Sequence, residues 1–289
     1  MFMASSFHRR LQCACSILTL WLSHLPCTAH PDLMEQIISL TEQLGEHDKS
    51  PALYLKRADL FRRHAQFDEA LADIAAAEQL QTNTTRLTLD RARVLCDARR
   101  AEESFDEVQA FLKTDPDHGE ALIIRARCHA LLGRAEASVG DFNNAIPKCA
   151  APGPDLFLER AKQQALLNKL DDAVRGLDEA ITNSPTFSTL QLAAVDYDRK
   201  RGAFDSALAR VDVFVARYPV KEPWLTLRAE VLEQDGRTNE AIETFLQVIA
   251  GIEKYPAIRR SLDLTKQLEQ RARQGLARIQ SNAHTVSKS

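Results

Sequence analysis

From Pro51 onward the apolar and small positions fall into paired helical faces. Over Pro51 to Thr84, Tyr54, Leu55, Ala58 and Phe61 share one face, and Ala70, Ile74, Ala77 and Leu80 share a second, the spacing of two helices with one buried side each. Gln66-Phe67-Asp68-Glu69 is the bend between them. Ala58, Ala92 and Ala126 stand 34 residues apart, so the period belongs to the chain. The same unit runs over 85–118, 119–152, 154–187, 188–221 and 222–255, with Gly153 as the single inserted residue. A period of this length predicts a helical repeat array, in which each pair buries its apolar face against its neighbours.

The punctuation agrees. Bends recur as Gly133-Arg134, Lys169-Leu170-Asp171, Gly202-Ala203-Phe204-Asp205 and Gly236-Arg237, with glycine where a helix end needs a left-handed residue. Each second helix opens on a small residue, Ala70, Ser104, Ser138, Ala173, Ala207 or Ala241, which lets two helix backbones come close. Pro116, Pro185 and Pro219 end their units by denying the backbone an N–H. Ile146-Pro147 is expected to end the second helix of the third unit early.

These residues resemble the tetratricopeptide repeat family over Pro51 to Tyr255. Thr88 and Gln191 depart from its usual aromatic position, and its terminal Pro is absent from the first, third and sixth units. The resemblance implies an all-α, right-handed α-solenoid of six helix-turn-helix repeats with capping helices at both ends. It implies a concave side lined by the first helices, where such arrays hold an extended or helical peptide.

One feature sets this chain apart: Arg-Ala recurs at Arg57-Ala58, Arg91-Ala92, Arg125-Ala126, Arg160-Ala161 and Arg228-Ala229. An arginine repeated in five helices reads as structural, lying over the small residue and pairing with an acid of its own second helix. The acids in place are Asp73, Glu107 and Asp141, with Asp178 and Glu243 slightly displaced.

Outside the repeats the character changes. Residues 1–29 read as a secretory signal, with a basic His8-Arg9-Arg10, an apolar Leu11 to Leu25 and the small Ala29 before the cleavage point. The apolar run is shorter than the ~20 residues of a membrane span, so the mature chain is expected to be exported, periplasmic or secreted, without a span. Residues 30–50 are predicted to form an N-terminal capping helix, with Asp32 as N-cap, Glu35 completing the capping box, Leu33, Ile37, Leu40 and Leu44 facing inward and Gly45 as the stop. Residues 256–280 are expected to form the C-terminal cap through Ile258, Leu262, Leu268, Leu276 and Ile279, and 281–289 a disordered tail.

Composition then removes functions. A net charge of −3 and 6% aromatic residues exclude a general nucleic-acid binder, which carries a basic excess and stacking platforms. No Gly-rich phosphate loop, HExxH, CxxC or serine nucleophile elbow is present, and the histidines are scattered, so no enzyme activity, metal or cofactor is expected. Cys96, Cys128 and Cys149 remain after the leader; Cys96 and Cys128 lie late in neighbouring first helices, where a bridge and two separate buried thiols both stay open. Asn83-Thr84-Thr85 matches the N-glycosylation triplet.

What remains is a surface. From the family's groove positions, Leu55, Leu89, Ile123, Leu158 and Leu192 form an aliphatic row, and Arg93, Arg127 and Lys162 a basic row flanked by Asp59, Asp196 and Glu230. The pattern suits a protein or peptide partner with apolar anchors and an anionic group, bound by a monomer. A row of core leucines beside a solvated charged face is the alternative. A structural assembly factor of an envelope complex, working through its convex face or caps, is the second function class.

Overall fold

The computed structural model describes residues 31–46, 50–80, 85–184 and 186–286. The expected leader, His30, Asn83-Thr84 of the glycosylation triplet and Pro185 lie outside the described residues. Among those described there are fifteen α-helices and no strand: a first helix α1 (Pro31–Glu46), then six hairpins, then two closing helices. The hairpins are α2 (Pro51–Arg63) with α3 (Phe67–Leu80), α4 (Thr85–Asp97) with α5 (Ala101–Leu112), and α6 (Gly119–Leu131) with α7 (Ala135–Ala145). They continue as α8 (Pro154–Leu166) with α9 (Leu170–Asn183), α10 (Ser188–Lys200) with α11 (Phe204–Arg217), and α12 (Glu222–Gln234) with α13 (Thr238–Glu253). α14 (Ala257–Ser261) and α15 (Asp263–Val286) close the chain.

Each first helix has 13 residues, so each hairpin hands the chain to the next at the same height. Proline in the first turn starts α2, α8 and α12, where its missing N–H has no intrahelical acceptor to lose. The small residues sit where helices cross: Ala58, Ala92, Ala126, Ala161 and Ala229 of the first helices and Ala70, Ala173, Ala207 and Ala241 of the second are all buried. Two units carry serine instead, and each buried hydroxyl is satisfied within its own hairpin. Ser104 Oγ donates to the Ala92 carbonyl at 2.7 Å, and Ser138 Oγ to that of Ala126 at 2.8 Å. α7 stops at Ala145 and a single 3₁₀ turn over Ile146–Lys148 carries Pro147, where the missing N–H was expected to end the helix.

The bends are tighter than the sequence pattern suggests, because α3 already begins at Phe67. The turn residue is left-handed at one equivalent place in all six hairpins: Ala65, Arg99, Gly133, Asn168, Gly202 and Gly236, with φ between 58° and 76°. Three of these positions carry a side chain in a region that costs an L-residue ~1–2 kcal/mol. Ala65→Gly and Arg99→Gly are therefore expected to stabilise the protein by about 0.5–1 kcal/mol each, the relieved strain exceeding the entropy that glycine returns to the unfolded chain. Urea midpoints check this, and destabilisation by either would contradict it.

Both ends differ in detail from expectation. α1 starts at Pro31 and runs through Gly45 to Glu46, so Asp32 is a first-turn acid at the positive end of the helix and Gly45 does not stop it. Its Leu33, Ile37 and Leu40 cover Leu60 and Phe61 of α2. At the other end, Leu268, Ala272, Leu276 and Ile279 of α15 pack on the last hairpin, but Ile258 and Leu262 do not belong to the cap. The backbone turns extended at Leu262 (ψ 136°) between α14 and α15, which swings both side chains outward. α15 also continues to Val286, so 281–286 are helical rather than irregular.

The recurrent arginines behave as structural clips, with two corrections. Arg57 grips Asp73 with two bonds of 2.8 and 2.7 Å, and Arg125 grips Asp141 with two of 2.7 and 2.6 Å. Arg91 reaches Glu107 at 3.3 Å and Glu78 of the preceding hairpin at 2.5 Å. Arg228 does not use Glu243; it bonds Asp212 of the preceding hairpin at 2.9 Å and Thr244 at 3.4 Å. Asp178 is taken not by Arg160 but by Arg210, which also binds the fully buried Asp198.

Candidate binding surface on the first helices

First helices touch one another directly at α4 on α6 and at α8 on α10. The aliphatic row divides. Leu89 is buried, and Ile123 and Leu158 pack half-buried on the clusters between hairpins, so these three serve the core. Leu55 also packs half-buried on the cluster of the first hairpin while lining an open cleft, as Leu89 lines another, and Leu192 is exposed.

The charged row is already engaged. Arg93 donates to Asp90 of its own helix at 2.7 Å and to Glu120 of the next first helix at 2.7 Å. Arg127 makes two parallel bonds of 2.8 Å to Glu159, with Asp155 at 3.4 Å. Its bidentate bond to Glu159 holds its guanidinium more firmly charged than usual, against a smaller opposing effect of burial. Lys162 is exposed and makes no ion pair among the described residues. The same forward reach recurs as Arg62 to Asp97 at 2.6 Å. With sign reversed, Glu230 and Glu233 receive Arg271 and Arg278 of α15, each at 2.8 Å. Most of the row thus ties each hairpin to the next, and Arg127, its central member, is a staple.

Sequence reasoning missed where the surface opens. A cleft of about 520 Å³ lies between α2 and α4, with Leu55, Ala58, Ile74 and Val94 at its floor. Its walls carry Lys56, Arg62, Arg86 and Arg93 with Asp59 and Asp90, and Asp97 and Glu120 beside it take up Arg62 and Arg93. A second cleft of about 430 Å³ follows between α4 and α6, lined by Leu89, Phe111, His118 and Glu120, and the two share Arg86, Asp90 and Arg93 as their common wall. The Arg86 side chain is 83% exposed and its one ion pair among the described residues, to Asp90, is long at 3.9 Å. With Lys56, which is exposed and makes no ion pair among the described residues, it is a cation of this wall left free to bind. The His118 ring is fixed, since its Nδ1 accepts the Ala121 N–H at 3.2 Å and its edge meets Phe111 with centroids 5.0 Å apart.

Among the described residues no grouping of His, Cys, Asp and Glu could hold a metal ion, and no helix is long and apolar enough to cross a membrane. Cys96, Cys128 and Cys149 are free thiols. Cys96 and Cys128 belong to one buried cluster, and Cys128 Sγ donates to Ser104 Oγ at 3.1 Å.

A sequence model of the tetratricopeptide repeat matches residues 89–154 and 192–257. Among solved structures, the chain is similar to a tetratricopeptide repeat protein from Parabacteroides merdae ATCC 43184, at 18% identity, covering 83% of this chain and 92% of that one with a TM-score of 0.51. It is also similar to pilF of Pseudomonas aeruginosa, at 13% identity, covering 71% and 93% of the two chains with a TM-score of 0.52. At these identities the likeness is one of fold. No curated protein matches the chain at a significant level.

Proposed function

We propose, from the premise that this chain is a tetratricopeptide-repeat protein, that it is a non-catalytic scaffold holding a protein or peptide segment on the inner face of its first helices. The observation that carries this reading is the pair of adjoining clefts around α4, where an apolar floor lies beside Arg86 and Lys56, two exposed cations with no tight acid partner among the described residues. A segment with one aliphatic side chain and one carboxylate fits them. The aliphatic group covers Leu55, Ala58 and Val94, and the carboxylate meets Arg86, with Lys56 and Arg93 nearby. The site therefore lies toward the N-terminal end of the array, because Arg127 at its middle is already spent on Glu159.

Hydrogen exchange tests the location. With a partner captured from an envelope extract, amides of α2, α4 and the first turn of α6 are expected to slow while those of α3 and α5 do not. Protection confined to second helices or caps would support the assembly-factor alternative instead.

The reading includes export, supported by the basic start and apolar run ahead of Ala29. Protein made in a secreting host is expected to begin at or near His30 on N-terminal sequencing. Recovery with Met1 intact would overturn that part alone.

A further inference from the structure

We infer that the face where α7, α8 and α9 meet carries a docking point for a carboxylate of a partner protein, centred on Arg160. The argument compares five equivalent arginines. Arg57, Arg91 and Arg125 each find an acid sixteen residues on, in their own hairpin, and Arg228 finds Asp212 in the preceding one. Arg160 finds neither. Sixteen residues on stands Gly176, and where Asp212 serves Arg228 the preceding hairpin offers Asn143, whose Oδ1 accepts from Arg160 Nη1 at 3.2 Å.

The consequence is a guanidinium short of acceptors. Arg160 Nε is buried with no hydrogen-bond partner. The group has folded over Gly176, with Nη2 2.6 Å from where a Cβ would stand, and rests on Phe157 at 5.5 Å from the ring centroid. Burial pulls its pKa below the usual arginine value, and Glu179, the acid that faces it, opposes this without forming an ion pair. A buried donor is ordinarily paired, and an unpaired Nε–H on a guanidinium marks a place where a partner supplies the acceptor that the fold omits.

The chemistry of that partner follows from the other clips. Arg57 and Arg125 are satisfied side-on by a carboxylate bonding Nε and Nη2 together, and because Gly176 has no side chain, an Arg160 guanidinium that swings off it leaves room for an incoming carboxylate to make the same approach. An aspartate or glutamate of a protein docking across α7, α8 and α9 would complete the fourth hairpin as Asp141 completes the third. This face is separate from the clefts around α4, so the two readings stand or fall apart.

Titrating the ¹⁵N-labelled full chain with sodium acetate, against sodium chloride at equal ionic strength, reads the arginine Nε–H resonances one by one. Arg160 is expected to shift saturably, with a midpoint on the order of 0.1 M for one charge-assisted pair. Arg57 and Arg125, already paired, should move little. Gly176→Asp and Asn143→Asp, which supply a carboxylate from the two sides used by the other clips, should each abolish the response, and Arg86→Glu should leave it intact. If one substituted chain does not fold, the other carries the test. An unresponsive Arg160, equal shifts at every arginine (an adventitious ion only), or responses in both aspartate variants like that of the unaltered chain would overturn the proposal.

Discussion

Phe245→Ala is expected to cost about 3–5 kcal/mol, the range for removing a fully buried aromatic ring. Phe245 lies in α13 with no exposed surface, in a cluster that joins the last two hairpins to α15. Its ring rests on Gly275 of α15; a Cβ there would collide with it, so the ring and the glycine together set how closely the last helix docks. Truncation leaves a cavity that α15 can close only by moving, and Leu276 and Ile279 lose part of their packing with it. Because each hairpin of a solenoid is held mainly by its neighbours, the loss falls on the C-terminal end first. Urea denaturation should show the lowered midpoint, and hydrogen exchange should show α15 and α13 opening before α4 and α6. A loss under about 1.5 kcal/mol, or opening that starts at α1, would contradict this account of the cap.

How much of this was legible depends on how far apart the interacting residues lie. The hairpins were readable because each places its large and small residues at fixed offsets within one unit. The Arg57–Asp73 and Arg125–Asp141 clips were readable for the same reason, being sixteen residues apart inside one hairpin. The left-handed turns were visible at Gly133, Gly202 and Gly236, and at Asn168, whose residue type enters that region more readily than most, but hidden at Ala65 and Arg99, where the chain tolerates strain that no residue type advertises. Arg127 misled because its partner Glu159 lies in the next hairpin, 32 residues on. Whether two such side chains meet depends on the rotation between neighbouring units, which the linear pattern does not encode. Ile258 and Leu262 misled for a local reason: their spacing is helical, but the chain turns at Leu262 before that face can reach the core. The clefts themselves arise from the gaps between α2, α4 and α6, and only the packed helices reveal them.

The binding surface makes the second large prediction. Arg86→Glu is expected to weaken capture of the partner by about 2 kcal/mol, roughly 30-fold, since it removes the weakly paired cation shared by both clefts and sets a negative charge against the incoming one. Stability should change by no more than about 0.5 kcal/mol, because Arg86 is largely in solvent and its ion pair with Asp90 is long. Salt should weaken binding of the unaltered chain more steeply than that of the variant, as screening acts on the attraction that the substitution has already removed. The matching control is Glu243→Lys, a charge reversal on the exposed side of α13 that touches neither cleft. The most direct test of an inner-face scaffold is therefore the affinity of these two variants for one partner across a salt series. The account predicts a large, salt-sensitive loss for Arg86→Glu with little change for Glu243→Lys; equal affinities, or a loss confined to Glu243→Lys, would contradict it.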